Sequence, residues 1–577
     1  MPKPSRHTCW HWAHEGAASA IKCYNEGMSS ICPPSASWFV PSVTLGAALA
    51  TLIAGCGGSS EGVTYSLAIT PVVPTNQSPF DGLDNVRLSV IGADGTADAY
   101  DLGAPDSGLT LSELGIGVLD NSSLLFEGQI GDVTVSRGRT PPLSASSGSQ
   151  DSTVLFGSVD QVGWIGGLAN AVVGPTVIPV GNGTFHVFGG VGVNGADDWK
   201  KTSEIVQKIV IGSPSADFVY ETIGAAPTWT DMEDEEHIGF FGSSIAMIAT
   251  GADAGKVFVG GGGISPGLID PKPVTSKVWL YNPEDSTFEA LSNREGLASP
   301  RSEAATVVDA QGAVVMWGGW THNSSERSVA VSTTVEVWDP ETRRAETLED
   351  YNSGATPMFD GAGASLGSKG SLFCGGSLQD SLAEADGNNY ASWYTDSACH
   401  RISLGHDVTA DTEMPVPLAG LAMVGLLDGR VFASGGATQS TEVFVDFATG
   451  APALADGWFY DPDTRVWSPA GSMNVARVGH KMSLLPDGRV LIVGGVTDYV
   501  PGSVLATGLS CVEIFDPNDS SYTPLADCDA DSDTDGLAGR AGLPGIAIDP
   551  NFGVIIAGGL VEEKSAQNAV NVVLWGD

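Results

Sequence analysis

Basic residues are scarce in this chain. Its 577 residues include 26 lysines and arginines against 68 aspartates and glutamates, a formal net charge of −42. Such a polyanion is repelled by phosphate backbones and by anionic headgroups, so nucleic acid and acidic membrane surfaces are disfavoured as partners. The charge fits a solvated acidic surface, with attraction for cations or basic ligands as the second reading. Histidine and cysteine are also few, at nine and eight. The six histidines beyond residue 55 are His186, His237, His322, His400, His406 and His480. None forms a two-histidine pair at helix or hairpin metal spacing, and His400 and His406, six residues apart, are a weak signal. No Gly-x-Ser-x-Gly lies in a strand–turn–helix setting, so the nucleophile-elbow signature of a serine hydrolase is missing.

What is plentiful is glycine, 75 residues in a chain that is 42% hydrophobic, a composition for an ordered all-β protein rather than a disordered one. Seven times a short apolar run ends in a glycine pair: Gly189-Gly190, Gly260-Gly261, Gly318-Gly319, Gly375-Gly376, Gly435-Gly436, Gly494-Gly495 and Gly558-Gly559. Successive gaps are 71, 58, 57, 60, 59 and 64 residues, so one supersecondary unit recurs. Glycine suits a buried strand end where backbones crowd or φ turns positive. Each pair follows an apolar hairpin, most clearly around Pro486-Asp487-Gly488 and Asp428-Gly429. An aromatic strand then runs into an Asp-Pro or Asn-Pro turn, as in Val278–Phe288, Val335–Arg344, Gly457–Trp467 and Val512–Tyr522. Four antiparallel strands per repeat make the blade of a β-propeller. Inter-blade stacking then supplies stability, since burying one Val, Leu or Ile contributes about 1.5–3 kcal/mol.

The copy from Tyr460 to Gly495 carries an Asp-Pro turn, Trp467, Met473, Arg477, His480 and the glycine pair in order. It resembles the kelch repeat, and the resemblance runs from about Gln161 to the C-terminus. It implies an all-β, seven-bladed kelch-type propeller, and a structural place for His480. The family includes copper radical oxidases related to galactose oxidase, which use two tyrosines, two histidines and a cysteine cross-linked to one tyrosine. That set cannot be assembled here from sequence. The repeat around Ser371 lacks the Asp-Pro turn, and the first repeat lacks the aromatic pattern.

For closing the ring, the run Ser152–Val162 is expected to pair with the last segment, Asn571–Asp577, because an unpaired strand edge is a liability. Ahead of the propeller (152–577), alternating runs at Val86–Gly92, Ser123–Gln129 and Asp132–Arg139 predict a small, immunoglobulin-like β-sandwich over 62–143. Serine-rich 144–151 reads as a linker. From Trp38 to Gly55 the chain is uncharged and ends in Ile53-Ala54-Gly55-Cys56. That stretch resembles a bacterial lipoprotein signal with its lipobox. Cleavage of 1–55 would leave Cys56 as the lipid-bearing terminus, a tether over 56–61, and an exported protein of the cell envelope, outer membrane or cell surface. An uncleaved anchor is the alternative. Removing 1–55 takes away a net of one positive charge and leaves −43.

Export agrees with an even count of remaining cysteines, Cys374, Cys399, Cys511 and Cys528. Proximity favours Cys374–Cys399 and Cys511–Cys528, with a buried free thiol as the other reading of Cys374. The acidic run Asp527–Gly536 alternates carboxylates, yet an EF-hand reading puts Gly542 where a bidentate glutamate belongs. It reads as a solvated loop, with a weak calcium site at Asp531, Asp533 and Asp535 as the alternative; no other cofactor is expected. The loops after the glycine pairs carry Trp199, Trp320, Trp393 and Trp458, which suit a ligand face for protein or carbohydrate, or else blade packing. The resulting expectation is a membrane-anchored, non-catalytic binding module. The alternative is a propeller enzyme, a copper radical oxidase or a sugar-modifying enzyme.

Overall fold

A computed structural model describes residues 8–10, 22–25, 28–31, 50–54, 65–104, 121–143, 148–192, 201–211, 219–231, 234–264, 273–323, 328–332, 334–348, 358–385, 388–438, 443–444, 451–499, 508–525, 543–562 and 565–576. Among these residues the regular structure is β throughout, apart from one 3-10 turn at Gly367–Lys369. No helix among them is long and apolar enough to cross a membrane. The chain divides into two compact units, the larger formed by Asp160–Val210 and Val219–Trp575.

Among the described residues the larger unit contains seven four-stranded antiparallel sheets. Blade 1 is Thr176–Gly181, Thr184–Phe188, Ile205–Val210 and Val219–Ala225; blade 2 is Ser244–Met247, Val257–Gly260, Val278–Asn282 and Thr287–Ala290. Blade 3 is Ala305–Val308, Val314–Trp317, Val335–Asp339 and Arg344–Thr347; blade 4 is Ala362–Ser365, Ser371–Cys374, Cys399–Ile402 and Val408–Asp411. Blade 5 is Ala422–Gly425, Val431–Ser434, Asp456–Asp461 and Val466–Ser472; blade 6 is Lys481–Leu484, Val490–Val493, Val512–Asp516 and Ser521–Pro524. Blade 7 takes Gly545–Asp549, Gly553–Ala557 and Ala569–Leu574 from the end of the chain and its outer strand, Gln161–Gly167, from the start. Blade 4 forms without an Asp-Pro turn, so that turn favours the hairpin without being required for it.

Second strands are apolar on both faces because a blade is covered on both sides. Val257–Gly260, Val314–Trp317 and Val490–Val493 are buried at every position. Aromatics of the third strand fill the gap to the next blade. Trp338 packs with Phe258 and Leu280 between blades 2 and 3, and Phe515 with Phe432 and Phe459 between blades 5 and 6. Leu491 and Ile514 meet Val554 and Val573 between blades 6 and 7.

The glycine pairs have a specific task. The second glycine donates its N–H to a carbonyl of the next blade's lead-in: Gly190 to Phe240, Gly262 to Arg301, Gly319 to Met358, Gly376 to Leu418, Gly436 to Arg477 and Gly559 to Val172, at 2.7–3.0 Å. The last of these joins blade 7 to blade 1. The first glycine must pass close to that same carbonyl. A Cβ on Gly318 would stand 1.9 Å from the Met358 oxygen, and one on Gly435 would stand 2.5 Å from that of Arg477. In blade 2 the left-handed pair is Gly261-Gly262, not Gly260-Gly261. Gly260 still belongs to the strand, and four consecutive glycines hide the shift.

Closure also differs in detail from the sequence expectation. Gln161–Gly167, not most of Ser152–Val162, pairs with Ala569–Leu574. The preceding run belongs to the smaller unit. Gly148–Leu155 pairs in parallel with Tyr65–Val72, and Gly157–Ser158 extends the sheet of Val133–Arg139, Ser123–Ile130, Asn85–Ile91 and Ala97–Asp101. The reason is burial: Val154 and Phe156 complete a core with Val86, Leu88, Leu124 and Phe126. The linker expected at 144–151 and the propeller start at 152 therefore move to about Asp160.

Candidate functional site

Two residues before each innermost strand the backbone turns left-handed. The seven positions are Gly174, Gly242, Glu303, Asp360, Gly420, Gly479 and Leu543, with φ between +52° and +66°. Some link directly: Glu303 N–H donates to the Gly242 carbonyl, Gly420 to Asp360, Gly479 to Gly420 and Gly174 to Leu543. Left-handed backbone costs an ordinary L-residue roughly 1–2 kcal/mol, so glycine is the natural occupant. Blades 3 and 4 instead place carboxylic acids there, side by side in the ring.

Glu303 is half-buried, and its Oε2 accepts a hydrogen bond from the Trp320 indole N–H at 2.7 Å. Burial, and then the charge of Asp360, push its carboxyl up to about 8, while the Trp320 bond and Lys481 pull the other way. Lys481 opens the innermost strand of blade 6 and is exposed by surface area. Partial desolvation lowers its pKa from the ordinary lysine value, against the opposing pull of Glu303 and Asp360. The three groups interact electrostatically although they come from blades 3, 4 and 6. Two acids on left-handed backbone and one amine, drawn from three blades, thus form an interacting set outside any local motif.

Of the tryptophans that suited either a ligand face or blade packing, the two described ones are packed. Trp320 is fully buried and donates its indole N–H to Glu303. Trp458 is buried in the core between blades 4 and 5, beside Val431 and Tyr460. Neither is an exposed platform. The side chains of Trp199 and Trp393 lie outside the described residues, as do Cys56, Cys528, Asp531, Asp533 and Asp535. Cys374 and Cys399, directly opposite across two strands, form a disulfide. Cys511 is disulfide-bonded too.

His186, His400 and His480 are built into blades. His186 Nδ1 meets the Tyr281 hydroxyl at 2.7 Å, and burial lowers its pKa to about 4. The His400 ring lies 4.6 Å from that of Trp317, and His480 Nε2 meets the Ser434 hydroxyl at 3.1 Å. Sequence reading missed Glu303, Asp360 and Lys481 because they belong to no contiguous motif. Aligning the repeats two residues before each innermost strand exposes Glu303 and Asp360, since Gly174, Gly242, Gly420 and Gly479 occupy the equivalent place, but leaves Lys481 hidden.

The larger unit is thus a β-propeller with an acidic, lysine-bearing centre. No protein-family model matches the chain. Over 45 residues it is 49% identical to tRNA wybutosine-synthesizing protein 4 of Saccharomyces cerevisiae, a stretch covering 8% of this chain and 6% of that protein. Among solved structures, YjhT is similar at 14% identity and a TM-score of 0.41, with 62% of this chain and 99% of that one covered. A fungal alcohol oxidase of the AA5 family, in complex with copper, is similar at 15% identity and a TM-score of 0.48, covering 72% of this chain and 76% of that one.

Proposed function

We propose that the chain is an exported kelch-type propeller, tethered to a membrane by a lipid on Cys56, and that it serves as a non-catalytic binding module for a protein or carbohydrate ligand. The observation that carries the binding site is the substitution of Glu303 and Asp360 for glycine in a ring of left-handed positions. Strain at such positions persists where something other than folding keeps the side chain. Paired carboxylates beside the axis suit a ligand that presents hydroxyl or ammonium donors.

The test is capture by the soluble chain from Gly57 onward, against envelope extracts and a glycan array. A Glu303→Gln/Asp360→Asn double variant with unaltered thermal stability is expected to lose at least tenfold in affinity. Equal capture by both proteins would remove the site. For the anchor, Cys56→Ala should release the protein from membranes and abolish incorporation of labelled fatty acid. Retention with label would defeat that part.

A sugar-modifying enzyme is the second reading, favoured by Glu303. A carboxyl that keeps its proton near neutrality is what a general acid requires. The readings separate cleanly: Glu303→Gln would abolish turnover and spare binding in an enzyme, and would weaken binding in a module. A copper oxidase would retain stoichiometric copper by elemental analysis.

A further inference from the structure

The connection from blade 1 to blade 2 folds into a small hairpin, Thr228–Thr230 against Glu236–Ile238, that contributes to no blade. Asp231, Glu235 and His237 converge on it, each offering one ligand atom, with those atoms all within 4.8 Å of one another. We propose that this hairpin is a binding site for a first-row divalent cation of borderline softness, of which Zn2+ is the type.

The side chains are held in place before any ion arrives. Trp229 stands opposite His237 across the hairpin, is buried, and anchors its indole N–H on the Gly239 carbonyl at 2.9 Å. The imidazole lies against that indole with ring centres 4.7 Å apart, which fixes its plane. Its Nε2 points at Asp231 Oδ2, 2.8 Å away. Asp231 is itself oriented, since its Oδ1 accepts the backbone N–H of Glu235 at 3.0 Å. The Glu235 carboxylate is exposed and free to swing inward.

The donor set decides the class of ion. One imidazole nitrogen with two carboxylates suits zinc and its neighbours, whereas calcium asks for six to eight oxygens. Three protein ligands leave a coordination position for water. Binding requires the Nε2 lone pair, so the contact between Nε2 and Asp231 Oδ2 opens; a neutral ring then carries its proton on Nδ1, a protonated ring releases one to solvent, and both freed atoms turn to the cation. The hairpin sequence Thr228–Ile238 holds five acidic residues and no lysine or arginine, so the local field favours a cation.

The experiment is isothermal titration of the full metal-free chain with ZnCl2, then with CaCl2, at neutral pH. One zinc equivalent is expected to bind, with affinity falling at least tenfold in His237→Gln and in Glu235→Gln, and zinc affinity exceeding calcium affinity. Replacing Zn2+ by Co2+ should give a visible ligand-field spectrum that His237→Gln alters. Glu235 is exposed, so its variant tests the site even if the histidine variant folds poorly. Absence of zinc binding, or unchanged affinity in Glu235→Gln, overturns the proposal. So does zinc binding that disappears on joint replacement of Asp531, Asp533 and Asp535 by asparagine.

Discussion

Arg477 and Glu513 form an ion pair inside blade 6 with both side chains sealed from solvent. The guanidinium also donates to the Gly494 carbonyl at 3.1 Å, and the carboxylate accepts the Asn474 N–H at 2.9 Å. Blade 3 repeats the device with Arg301, Glu336, the Gly318 carbonyl and the Ala298 N–H. Each pair therefore ties a glycine strand to the segment arriving from the preceding blade. Arg477→Met should destabilise the propeller by about 3–5 kcal/mol, because Glu513 is left buried without its partner. Replacing Glu513 by leucine in the same chain should recover part of that loss. Chemical denaturation of the single and double variants checks both statements.

Gly318→Ala and Gly429→Ala place the same methyl group on left-handed backbone, at φ +68° and +88°. The first would drive it into the Met358 carbonyl, while the second meets nothing within 4 Å. Gly429→Ala should cost roughly 1 kcal/mol, the conformational penalty alone. Gly318→Ala should cost clearly more and loosen the contact of blades 3 and 4. Hydrogen exchange at the Gly319 amide, which donates to Met358, is the local readout.

The Cys374–Cys399 disulfide closes a separation of 25 residues inside blade 4. Joint replacement by alanine should lower stability by about 3 kcal/mol, the value for a loop of that order in the chain-entropy account. A thermal scan of the variant, compared with wild type under oxidising conditions, gives the difference. An unchanged midpoint would mean that the blade's cross-strand pairing suffices.

Acidity affects the two perturbed groups in opposite senses. The folded pKa of Glu303, about 8, lies above its ordinary value of 4.5, so the folded state binds the extra proton between those limits. Stability should fall as pH rises through that window. His186 is depressed from 6.5 to about 4, so its contribution is lost as pH falls through that range. Subtracting the pH profile of Glu303→Gln from that of wild type isolates the first effect. A flat difference between pH 5 and 8 would mean that the carboxyl titrates normally.

The architecture was legible because its requirement recurs. Gly435 and Gly558 must approach a neighbouring carbonyl, and seven repetitions of one steric demand leave a period in the sequence. Where the local text is degenerate the reading slipped by one residue, as at Gly260. Where two destinations are equally apolar it chose wrongly, as with Val154 and Phe156, which complete the smaller unit's core. The centre was not legible for another reason. Glu303, Asp360 and Lys481 meet only through the ring, and no short-range spacing encodes a distance across it. Trp320 read as either a ligand-face aromatic or blade packing, and its buried indole donates to Glu303.

The hydrogen bond from Gly559 to Val172 makes the first blade a successor of the last, as each of the others is to the one before it. Chain order and spatial order are then separable. Cutting the propeller segment, 160–575, in one connection between blades and joining its own two ends, which already meet where the Asp160 N–H donates to the Leu574 carbonyl, should yield a permuted propeller with the same circuit of contacts. Such a variant would hold its blades together by side-by-side docking rather than by the direction of synthesis.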